Sequence, residues 1–416
     1  MNQTKPFTIS KQLVMQAFQL IKANGGSAGV DQQSLAAFEK DLKDNLYKLW
    51  NRLSSGSYFP PPVKAVPIPK KSGGVRILGV PTVADRVAQM VVKLVFEPSV
   101  EVHFLPDSYG YRPNKSALDA IGITRQRCWR YDWLLEYDIC GLFDNLDHQL
   151  MMKAVKKHTQ CKWILLYIER WLKTPTQLPD GRLQEKTKGI MQGGVISPLL
   201  SNIFLHYVFD NWMKKNHPTI AWCRYADDAL AHCKTEQQAQ QLLVELKQRF
   251  NACGLELHPE KTKIIYCKDD NRRGDYVNTE FSFLGYTFRR REAKNSKNNQ
   301  LFLSFSPAAS KAALQAMREK TRQMGLCKRT DKRLEEIAKA YNPILQGWIN
   351  YFGQYNRSSL YAVFRHFNKS LVGWAMRKFK RLRRRYTKAA IFMEGISKRQ
   401  PNLFAHWKTG IGGAFA

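Results

Sequence analysis

Two hydrophobic periodicities run along the chain, one typical of β-strands and one typical of α-helices. Short apolar runs predict strands at residues 133–139, 220–233, 262–267 and 281–288. Apolar residues at helical spacing predict helices at residues 9–23, 34–53, 146–158, 198–214 and 235–254. Beyond Arg289 the spacing predicts helices at residues 306–323, 331–341, 344–354 and 359–384. This order predicts an α+β fold: an antiparallel sheet of the split βαβ type, backed by helices and followed by a helical region.

The segment VKAVPIPKKSGGVRILGVP, at residues 63–81, has the alternation of a β-hairpin. Its central Ser-Gly-Gly supplies a turn, and Lys70, Lys71 and Arg76 lie around that turn. The sequence therefore predicts a basic hairpin near the N-terminus.

The charge balance indicates a polyanionic partner. The chain carries a formal net charge of +32, and residues 289–416 hold 28 Lys and Arg against 6 Asp and Glu. The first 288 residues contribute only +10. Nucleic acid binds such proteins by counterion release. A scaffold of the ribosomal type or a membrane-surface binder would show the same excess, so charge alone leaves three interpretations open.

Cysteine spacing and hydropathy argue against several classes of protein. The eight cysteines form no CxxC pair, as a zinc ribbon or an HNH-type finger would require. No segment reaches ~18 uncharged apolar residues, and the N-terminus lacks the apolar core of a signal peptide. We therefore expect reduced thiols in a soluble cytoplasmic protein with no membrane partner.

Two adjacent carboxylates, Asp227 and Asp228, lie at the centre of the hydrophobic segment CRYADDALAHC. Successive side chains of a strand point to opposite faces, so this pair can share a ligand only where a turn rotates it. A third carboxylate, Asp138, ends an apolar strand, and three carboxylates on neighbouring strands can hold two Mg²⁺ ions. The competing interpretation is a solvated turn, where Asp is common. Asp144 and Asp147 are interpreted as a helix N-cap and a surface charge.

Nine sequence blocks in a fixed order resemble the group II intron-encoded reverse transcriptase/maturases. RYADD at 224–228 is similar to the polymerase motif of reverse transcriptases. The other blocks are NGGSAGVD (24–31), VPIPKKSGGVRILGVPT (66–82), SYGYRPNKSALDA (108–120), YDICGLFDNLDH (137–148), QGGVISPLLSNIFL (192–205), GLELHPEKTKI (254–264), FSFLGYTFR (281–289) and GWINYF (347–352). The resemblance covers nearly the whole chain. It implies a right-hand polymerase with fingers and palm, followed by an all-helical thumb.

The resemblance implies a metal site and a sugar-selecting residue. Asp138, Asp227 and Asp228 would bind two Mg²⁺ ions, with Mn²⁺ as a substitute and the Ile139 carbonyl as a further ligand. Phe143 would form an aromatic wall beneath the sugar, where a bulky ring clashes with a 2′-hydroxyl and selects deoxynucleotides. The alternative for Phe143 is an ordinary core residue.

The resemblance also implies contacts to the rest of the nucleotide. Lys70 and Arg76 would clamp the triphosphate, Lys as a point charge and Arg as a bidentate fork. Gln192 would lie beside the incoming nucleotide, although it follows Ile-Met where the family has Thr-Pro. Lys261 would protonate the pyrophosphate, with Lys263 as its competitor. The alternatives are solvated hairpin charges for Lys70 and Arg76 and an ordinary surface lysine for Lys261.

The basic C-terminal region resembles the family's X domain, the polymerase thumb. A helix from Ser359 carries apolar residues at helical spacing, which we interpret as core: Leu360, Val363, Phe364, Phe367, Leu371 and Trp374. The run RKFKRLRRRY then predicts an RNA-binding helix that follows a phosphate backbone. Its basic residues are Arg377, Lys378, Lys380, Arg381, Arg383, Arg384 and Arg385. The alternative is a solvated face.

We expect four parts along the chain, namely an N-terminal extension with the fingers and part of the palm (1–132), the palm (133–290), the helical thumb (300–390) and a C-terminal tail (391–416). The chain ends soon after NLFAHWKTG, which resembles the compact members that lack an endonuclease domain. Such a protein would take its primer from elsewhere, for example from a nascent strand at a replication fork.

The sequence thus predicts an RNA-directed DNA polymerase of a mobile group II intron that also assists splicing and retrohoming. Its partners would be intron RNA as template, an RNA/DNA duplex with primer, and deoxynucleoside triphosphates, in a bacterial cytoplasm near the nucleoid. One alternative is a free-standing reverse transcriptase with a phage-defence role. Another is a non-catalytic RNA-binding splicing cofactor, which would gain nothing from three carboxylates that repel RNA. The sequence leaves open which RNA is bound and whether the protein is a monomer or a homodimer.

Overall fold

The computed structural model describes residues 5–69, 73–294, 299–411 and 415. It divides the chain into two compact units of interleaved sequence. The first unit contains Met1–Ala120 and Leu135–Lys263, and the second contains Ile121–Leu134 and Ile264–Ala416. The four-part division of the chain stays a prediction. Residues 264–290, which we assigned to the palm, lie in the second unit.

Helices and strands alternate up to residue 309, and helices follow. The α-helices are α1 (Lys11–Asn24), α2 (Leu35–Lys40), α3 (Leu42–Ser55), α4 (Val83–Glu101), α5 (Ala117–Cys128), α6 (Leu142–Asn145), α7 (His148–Lys156), α8 (Lys162–Lys173), α9 (Ser197–Leu205), α10 (Asn211–Asn216), α11 (Glu236–Asn251), α12 (Lys311–Gln323), α13 (Leu334–Phe352), α14 (Tyr361–Lys378) and α15 (Tyr386–Arg399). The strands are β1 (Val63–Pro69), β2 (Val75–Val80), β3 (Trp133–Tyr137), β4 (Thr176–Gln177), β5 (Leu183–Gln184), β6 (Ala221–Tyr225), β7 (Asp228–Cys233), β8 (Lys263–Tyr266), β9 (Glu280–Phe283), β10 (Tyr286–Lys294) and β11 (Leu301–Ala309). Short 3₁₀ turns lie at Leu326–Lys328, Arg357–Leu360, Lys380–Leu382 and Trp407–Thr409, and a π-helical turn at His206–Asp210 joins α9 to α10.

The predicted basic hairpin is present in the first unit. Strands β1 and β2 pair antiparallel from Lys64 opposite Val80 to Pro69 opposite Val75. They belong to a sheet of order β2-β1-β4-β5. Lys70 and Lys71 lie outside the described residues.

The palm hairpin is the second predicted feature of this unit. Strands β6 and β7 pair antiparallel, and β7 lies between β6 and β3. Behind them α11 begins after Thr235, whose hydroxyl caps the helix by accepting from the Gln238 backbone N–H at 3.1 Å. The Gln238 side chain accepts in turn from the Lys234 N–H at 2.8 Å. Of the apolar face that its sequence predicts, this helix buries Ala239, Leu242, Leu246 and Phe250, while Leu243 is half-buried.

The second unit contains a sheet of order β11-β10-β9 and a helical core. The predicted apolar face of α14 is confirmed, because every member is buried: Leu360, Val363, Phe364, Phe367, Leu371 and Trp374. The segment predicted as a tail is also part of this core. Trp407 and His406 meet the Asn368 side chain at 3.0 and 2.7 Å, which secures the C-terminal segment against α14.

Four predicted helices have different bounds. The helix predicted from residue 306 begins at Lys311, because the Ser310 hydroxyl caps it and the preceding residues form β11. The helices predicted at 331–341 and 344–354 form one helix, α13, which continues through Pro343. Burial of its apolar face outweighs the hydrogen bond that proline removes. The helix predicted over 359–384 ends at Lys378, because Phe379 leaves helical geometry and packs against aromatic neighbours.

The structure bears on two expectations from the sequence, which concern the cysteines and membrane-spanning helices. All eight cysteines lie among the described residues, and none of them is in a disulfide. Over the described ranges, no helix is both long and apolar enough to cross a membrane.

Candidate active site

A cavity of about 1000 Å³ in the first unit gathers most of the residues that the sequence singles out. Its lining contains Arg76, Asp138, Ile139, Phe143, Gln192, Asp227, Asp228 and Lys261. These residues come from five separate sequence blocks. The fold therefore brings together every predicted metal-binding and nucleotide-binding residue except Lys70, which lies outside the described residues.

The turn between β6 and β7 rotates the two adjacent aspartates. Tyr225 pairs with Asp228, so Ala226 and Asp227 form the two-residue connection. Ala226 has a φ of 56°, in the left-handed region, which costs a residue other than glycine roughly 1–2 kcal/mol. Gly110 packs directly on this turn, and a Cβ there would lie 2.3 Å from the Ala226 nitrogen. Asp227 thus lies in the turn and Asp228 begins the strand, which is how neighbouring residues reach one cavity.

Asp138 follows β3 and is joined to the segment that carries Lys261. The backbone N–H of His258 donates to the Asp138 carbonyl, and that of Cys140 donates to the Glu256 carbonyl, both at 2.8 Å. This pairing brings Lys261 alongside, and its Nζ donates to Asp138 Oδ2 at 2.6 Å. The bond to Asp138 raises the pKa of Lys261, so this lysine stays protonated beside the carboxylates.

The three carboxylates of the cavity lie close to one another, with Asp138 and Asp227 half-buried and Asp228 exposed at the start of its strand. Partial burial together with the charges of Asp227 and Asp138 raises the pKa of Asp228 to about 7. Burial also raises the pKa of Asp227. Lys261 is half-exposed and bonded to Asp138 alone among these carboxylates. The cavity therefore holds more negative charge than its one bonded lysine can neutralise.

This donor set fits a hard divalent cation. Oxygen ligands and uncompensated negative charge are what Mg²⁺ requires. Across the described ranges, no three or more His, Cys, Asp or Glu side chains are gathered tightly enough to hold an ion unaided. Mg²⁺ at phosphate-processing sites typically binds one or two carboxylates and completes its shell with substrate phosphates and water. The aspartates leave coordination positions for such oxygens.

The side of the cavity that carries the predicted nucleotide contacts is held by hydrogen bonds between β2 and the Gln192 loop. Arg76 Nε donates to Gln192 Oε1 at 2.5 Å, and the Gly79 N–H donates to the Gln192 carbonyl at 2.7 Å. Phe143 is only 8% exposed, and its carbonyl accepts from the Ile190 N–H at 2.6 Å. Phe143 therefore belongs both to the core and to the cavity wall, so its two sequence interpretations are compatible.

Several residues near the cavity were not singled out from the sequence. Glu136 lies two residues before Asp138 on β3, and burial raises its pKa to about 7. Strand alternation from Asp138 would have found it. Lys186 lines the cavity opposite Asp144, and no local pattern marks it. Tyr111 has a φ of 58°, and burial and the Asp227 charge raise the pKa of its hydroxyl.

Asp144 and Asp147, the other two aspartates of the sequence block that contains Asp138, have different positions in the structure. Asp147 is a helix cap, because its Oδ1 accepts from the Leu150 N–H at 2.8 Å at the start of α7. Asp144 lines the cavity in the short helix α6. The sequence interpretation is therefore wrong in its order: Asp147, interpreted as a surface charge, is the helix cap, and Asp144, interpreted as the cap, lines the cavity.

The basic run in the second unit is not one helix. Arg377 and Lys378 end α14, a 3₁₀ turn covers Lys380–Leu382, and Arg384 has a φ of 58°. The exposed members are Arg377, Lys380, Arg381, Arg383, Arg384 and Arg385. Lys378 instead donates to the carbonyls of Thr330 and Lys332, at 2.9 and 2.7 Å. The run is a charged corner with one structural lysine.

A carboxylate-bearing hairpin beside a cavity of about 1000 Å³ that is lined by cations is the arrangement that a template-directed polymerase requires. Comparison with known proteins identifies the kind. Residues 68–288 match the model of the reverse transcriptase (RNA-dependent DNA polymerase) family, and residues 314–390 match the group II intron maturase-specific domain. The chain belongs to the reverse transcriptase family.

Individual relatives agree with the family match. Protein YkfC of Escherichia coli K12 is 31% identical over 310 residues, which cover 64% of this chain and 77% of that protein. The group II intron-encoded protein LtrA of Lactococcus lactis is 25% identical over 423 residues, which cover 81% of this chain and 68% of LtrA. A putative COX1/OXI3 intron 1 protein of Saccharomyces cerevisiae is 26% identical, over 58% of this chain and 34% of that protein.

These matches confirm the enzyme class and the fold class predicted from the sequence. The protein is an RNA-directed DNA polymerase with a group II intron maturase domain. Enzymes of this family use divalent metal ions. The mixed sheets and helices of the fold, followed by helices from Lys311 onward, are those of polymerase fingers and palm with a helical C-terminal region.

Proposed function

We propose that this reverse transcriptase copies the RNA of a mobile group II intron in the first-unit cavity and also assists the splicing and retrohoming of that intron. The observation that carries the proposal is the convergence on one cavity of predicted residues that lie up to 185 positions apart, from Arg76 to Lys261. Chance would not gather carboxylates, a guanidinium, an amide and an aromatic wall from five sequence blocks.

Asp138, Asp227 and Asp228 are the proposed ligands of two Mg²⁺ ions, with Mn²⁺ as a substitute and the Ile139 carbonyl as a further ligand. When bound, the ions would activate the primer 3′-hydroxyl and neutralise the leaving pyrophosphate. The chain contributes the geometry. The Ala226 turn fixes the two adjacent carboxylates, and the pairing of the Asp138 segment with residues 256–258 fixes the third.

Arg76, Gln192 and Lys261 are the proposed contacts to the nucleotide, together with Lys70, which lies outside the described residues. Arg76 and Gln192 already share a hydrogen bond across the cavity, so a triphosphate would meet a pre-formed pair. Lys261 is protonated and bonded to Asp138. We assign it two successive tasks: neutralising Asp138 in the empty cavity, and then donating a proton to pyrophosphate. Lys263 begins β8 and stays the competitor.

Phe143 is the proposed selector of the deoxy sugar. Its ring lines the cavity while its backbone is bonded to Ile190, so the ring cannot retreat without disturbing the loop that carries Gln192. A 2′-hydroxyl at that wall would clash.

The exposed basic corner is the proposed RNA contact of the maturase function. Six exposed cations within nine residues, from Arg377 to Arg385, give the charge density that phosphate binding needs. The match to the maturase-specific domain supports an intron partner over the phage-defence alternative. The surroundings of the gene test this choice, because intron RNA domains on both sides support the proposal and a solitary gene or defence operon opposes it.

Primer extension on an RNA template with Mg²⁺ and deoxynucleotides tests the polymerase site. We expect extension by the wild type and a loss of roughly 10³-fold or more in Asp227→Ala. Asp180→Ala, at an exposed turn of the same unit, is the control and should match the wild type. Equal extension by Asp227→Ala and wild type would contradict the site.

A further inference from the structure

Arg224 is a buried cation directly behind the turn that presents Asp227 and Asp228. It is 1% exposed, and it lies in β6 two residues before the left-handed Ala226. Buried charges are rare unless they are paired. Neither the cavity lining nor the proposed metal and nucleotide contacts include it, so its burial requires another explanation.

Every N–H of the Arg224 guanidinium has an acceptor. Nε and Nη2 donate to the two carboxylate oxygens of Asp210, at 2.8 and 2.6 Å. Nη2 also donates to the Ser108 hydroxyl at 2.8 Å, and Nη1 donates to Asn202 Oδ1 at 3.0 Å. The remaining donor of Nη1 reaches the carbonyl of Ala226 at 3.1 Å. One side chain therefore ties the strained turn to three other segments.

The partners of Arg224 are themselves fixed. Asp210 is fully buried and ends the π-helical turn between α9 and α10, and such turns occur frequently at functional sites. Asn202 donates to the Gly110 carbonyl at 2.7 Å, and Gly110 is the residue that packs on the Ala226 backbone. The Arg224 main chain bonds to Asp107 and Tyr109 at 3.0 and 2.8 Å. The turn is thus held from its side-chain face and from its backbone face.

We propose that Arg224, held by Asp210, is a positioning residue that sets the affinity of Asp227 and Asp228 for a divalent ion. The proposal rests on the proposed function of those two carboxylates. The left-handed conformation of Ala226 determines how far Asp227 is rotated from Asp228, and the bond to the Ala226 carbonyl holds that conformation. Lysine would keep the charge beside Asp210, but its three donors cannot reach five acceptors in a planar arrangement.

A second buried arginine of the chain provides a matched control. Arg272 is 9% exposed, pairs with Asp269, and donates to the carbonyls of Cys128 and Tyr131 at 2.9 and 2.8 Å. It has the same chemistry as Arg224, a carboxylate partner and backbone acceptors, but it lies in the second unit. Each substitution replaces a buried guanidinium by an ammonium, so we expect Arg224→Lys and Arg272→Lys to lower the stability of the fold by similar amounts. Only Arg224→Lys removes a bond to the turn that carries Asp227.

The test is Mn²⁺ binding to the full-length protein without nucleic acid, in which water completes the shell of an ion held by one or two carboxylates. It is measured by electron paramagnetic resonance, together with the melting temperature. We expect Arg224→Lys to weaken Mn²⁺ binding by ~10-fold or more, the usual effect of losing a residue that orients metal ligands. Arg272→Lys should lower the melting temperature by a similar amount and leave Mn²⁺ affinity at the wild-type value. The Mg²⁺ concentration for half-maximal primer extension should rise in Arg224→Lys alone.

Equal Mn²⁺ affinities for Arg224→Lys and Arg272→Lys would overturn the role of Arg224 and leave it as a core ion pair. Equal affinities for wild type and Asp227→Ala would overturn the proposed function, and the role of Arg224 with it. If Arg224→Lys does not fold, Ser108→Ala removes one neutral partner of the guanidinium and should fold. We expect a roughly threefold weakening of Mn²⁺ binding in that variant, and an unchanged affinity would count against the proposal.

Discussion

The first-unit cavity and the basic corner at residues 377–385 carry opposite charges and are built in opposite ways. Around the cavity, buried side chains have named partners at short distances, and even the carbonyl of the Ala226 turn is bonded. At the corner, six cations are exposed and lie on a helix end, a 3₁₀ turn and an irregular segment. Chemistry on a metal and a triphosphate needs fixed positions, whereas contact with a phosphate backbone needs charge density.

This contrast explains why the two regions differ in their demands on the sequence. The proposed metal site requires that residues far away in the chain, such as Asp138 and Gly110, reach Asp227 and Asp228. The proposed RNA contact requires only exposed arginines, and every arginine of the run is exposed although the run is not one helix. One substitution in the cavity should therefore be enough to abolish extension, whereas each substitution in the basic corner should lower RNA affinity only in part.

The largest binding effect is expected from reversing charge in the corner. Changing Arg383, Arg384 and Arg385 to Glu should weaken RNA binding by roughly 10²–10³-fold at low salt and reduce the salt slope by about 3, one per phosphate contact. RNA affinity measured across a salt series checks this. An unaltered salt slope would show that these arginines form a solvated face that does not bind RNA.

Phe143→Ala should change which nucleotide the enzyme accepts. Removing the ring opens the wall beneath the sugar, so discrimination against ribonucleotides should fall by roughly 10–100-fold. Single-nucleotide incorporation with deoxy and ribo substrates measures the ratio. Since Phe143 is also part of the core, the melting temperature must be followed, and unchanged discrimination in a folded variant would refute the selector.

A pH series should separate the two regions. The pKa of Asp228 is raised to about 7, so at pH 6 a proton occupies this carboxylate and competes with the metal. The Mg²⁺ concentration for half-maximal extension should therefore be roughly tenfold higher at pH 6 than at pH 8. RNA affinity of the arginine-rich corner should stay constant over the same range, because arginine keeps its charge. A Mg²⁺ requirement that is the same at pH 6 and pH 8 would contradict a raised pKa of Asp228.

The smallest effect is expected at Lys378, which lies inside the basic run but is bonded to two carbonyls. Lys378→Ala should cost about 1 kcal/mol of unfolding free energy and change RNA affinity by less than about twofold. Lys380→Ala, at an exposed neighbour, should show the reverse. Chemical denaturation and RNA titration on both variants would decide whether exposure separates structural from binding cations.

The sequence predicts the strands, helices and carboxylates of the site better than it predicts the residues that hold the carboxylates in place. Hydrophobic alternation and turn residues are local, so the basic hairpin and the capped α11 are confirmed. The carboxylates could be selected because an Asp pair in an apolar segment needs an explanation. The partner of Arg224 could not be selected, since Asp210 lies 14 residues away on a π-helical turn that no pattern marks.

The same limit applies to the helices. Pro343 predicts a break in α13, but the burial of Leu345 and Ile349 on one face keeps the helix continuous. A run of arginines predicts a helix by propensity, but Phe379 finds aromatic partners by leaving it. In both cases, tertiary packing decides what local preference leaves open.

The most direct test of the account measures primer extension and RNA affinity on one protein, Asp227→Ala, beside the wild type. The account predicts that extension is lost while RNA affinity and melting temperature stay within about twofold and a few degrees of the wild-type values. Retained extension would contradict the cavity as the polymerase site. Loss of RNA affinity together with extension, in a protein that melts normally, would contradict the separation of the two regions.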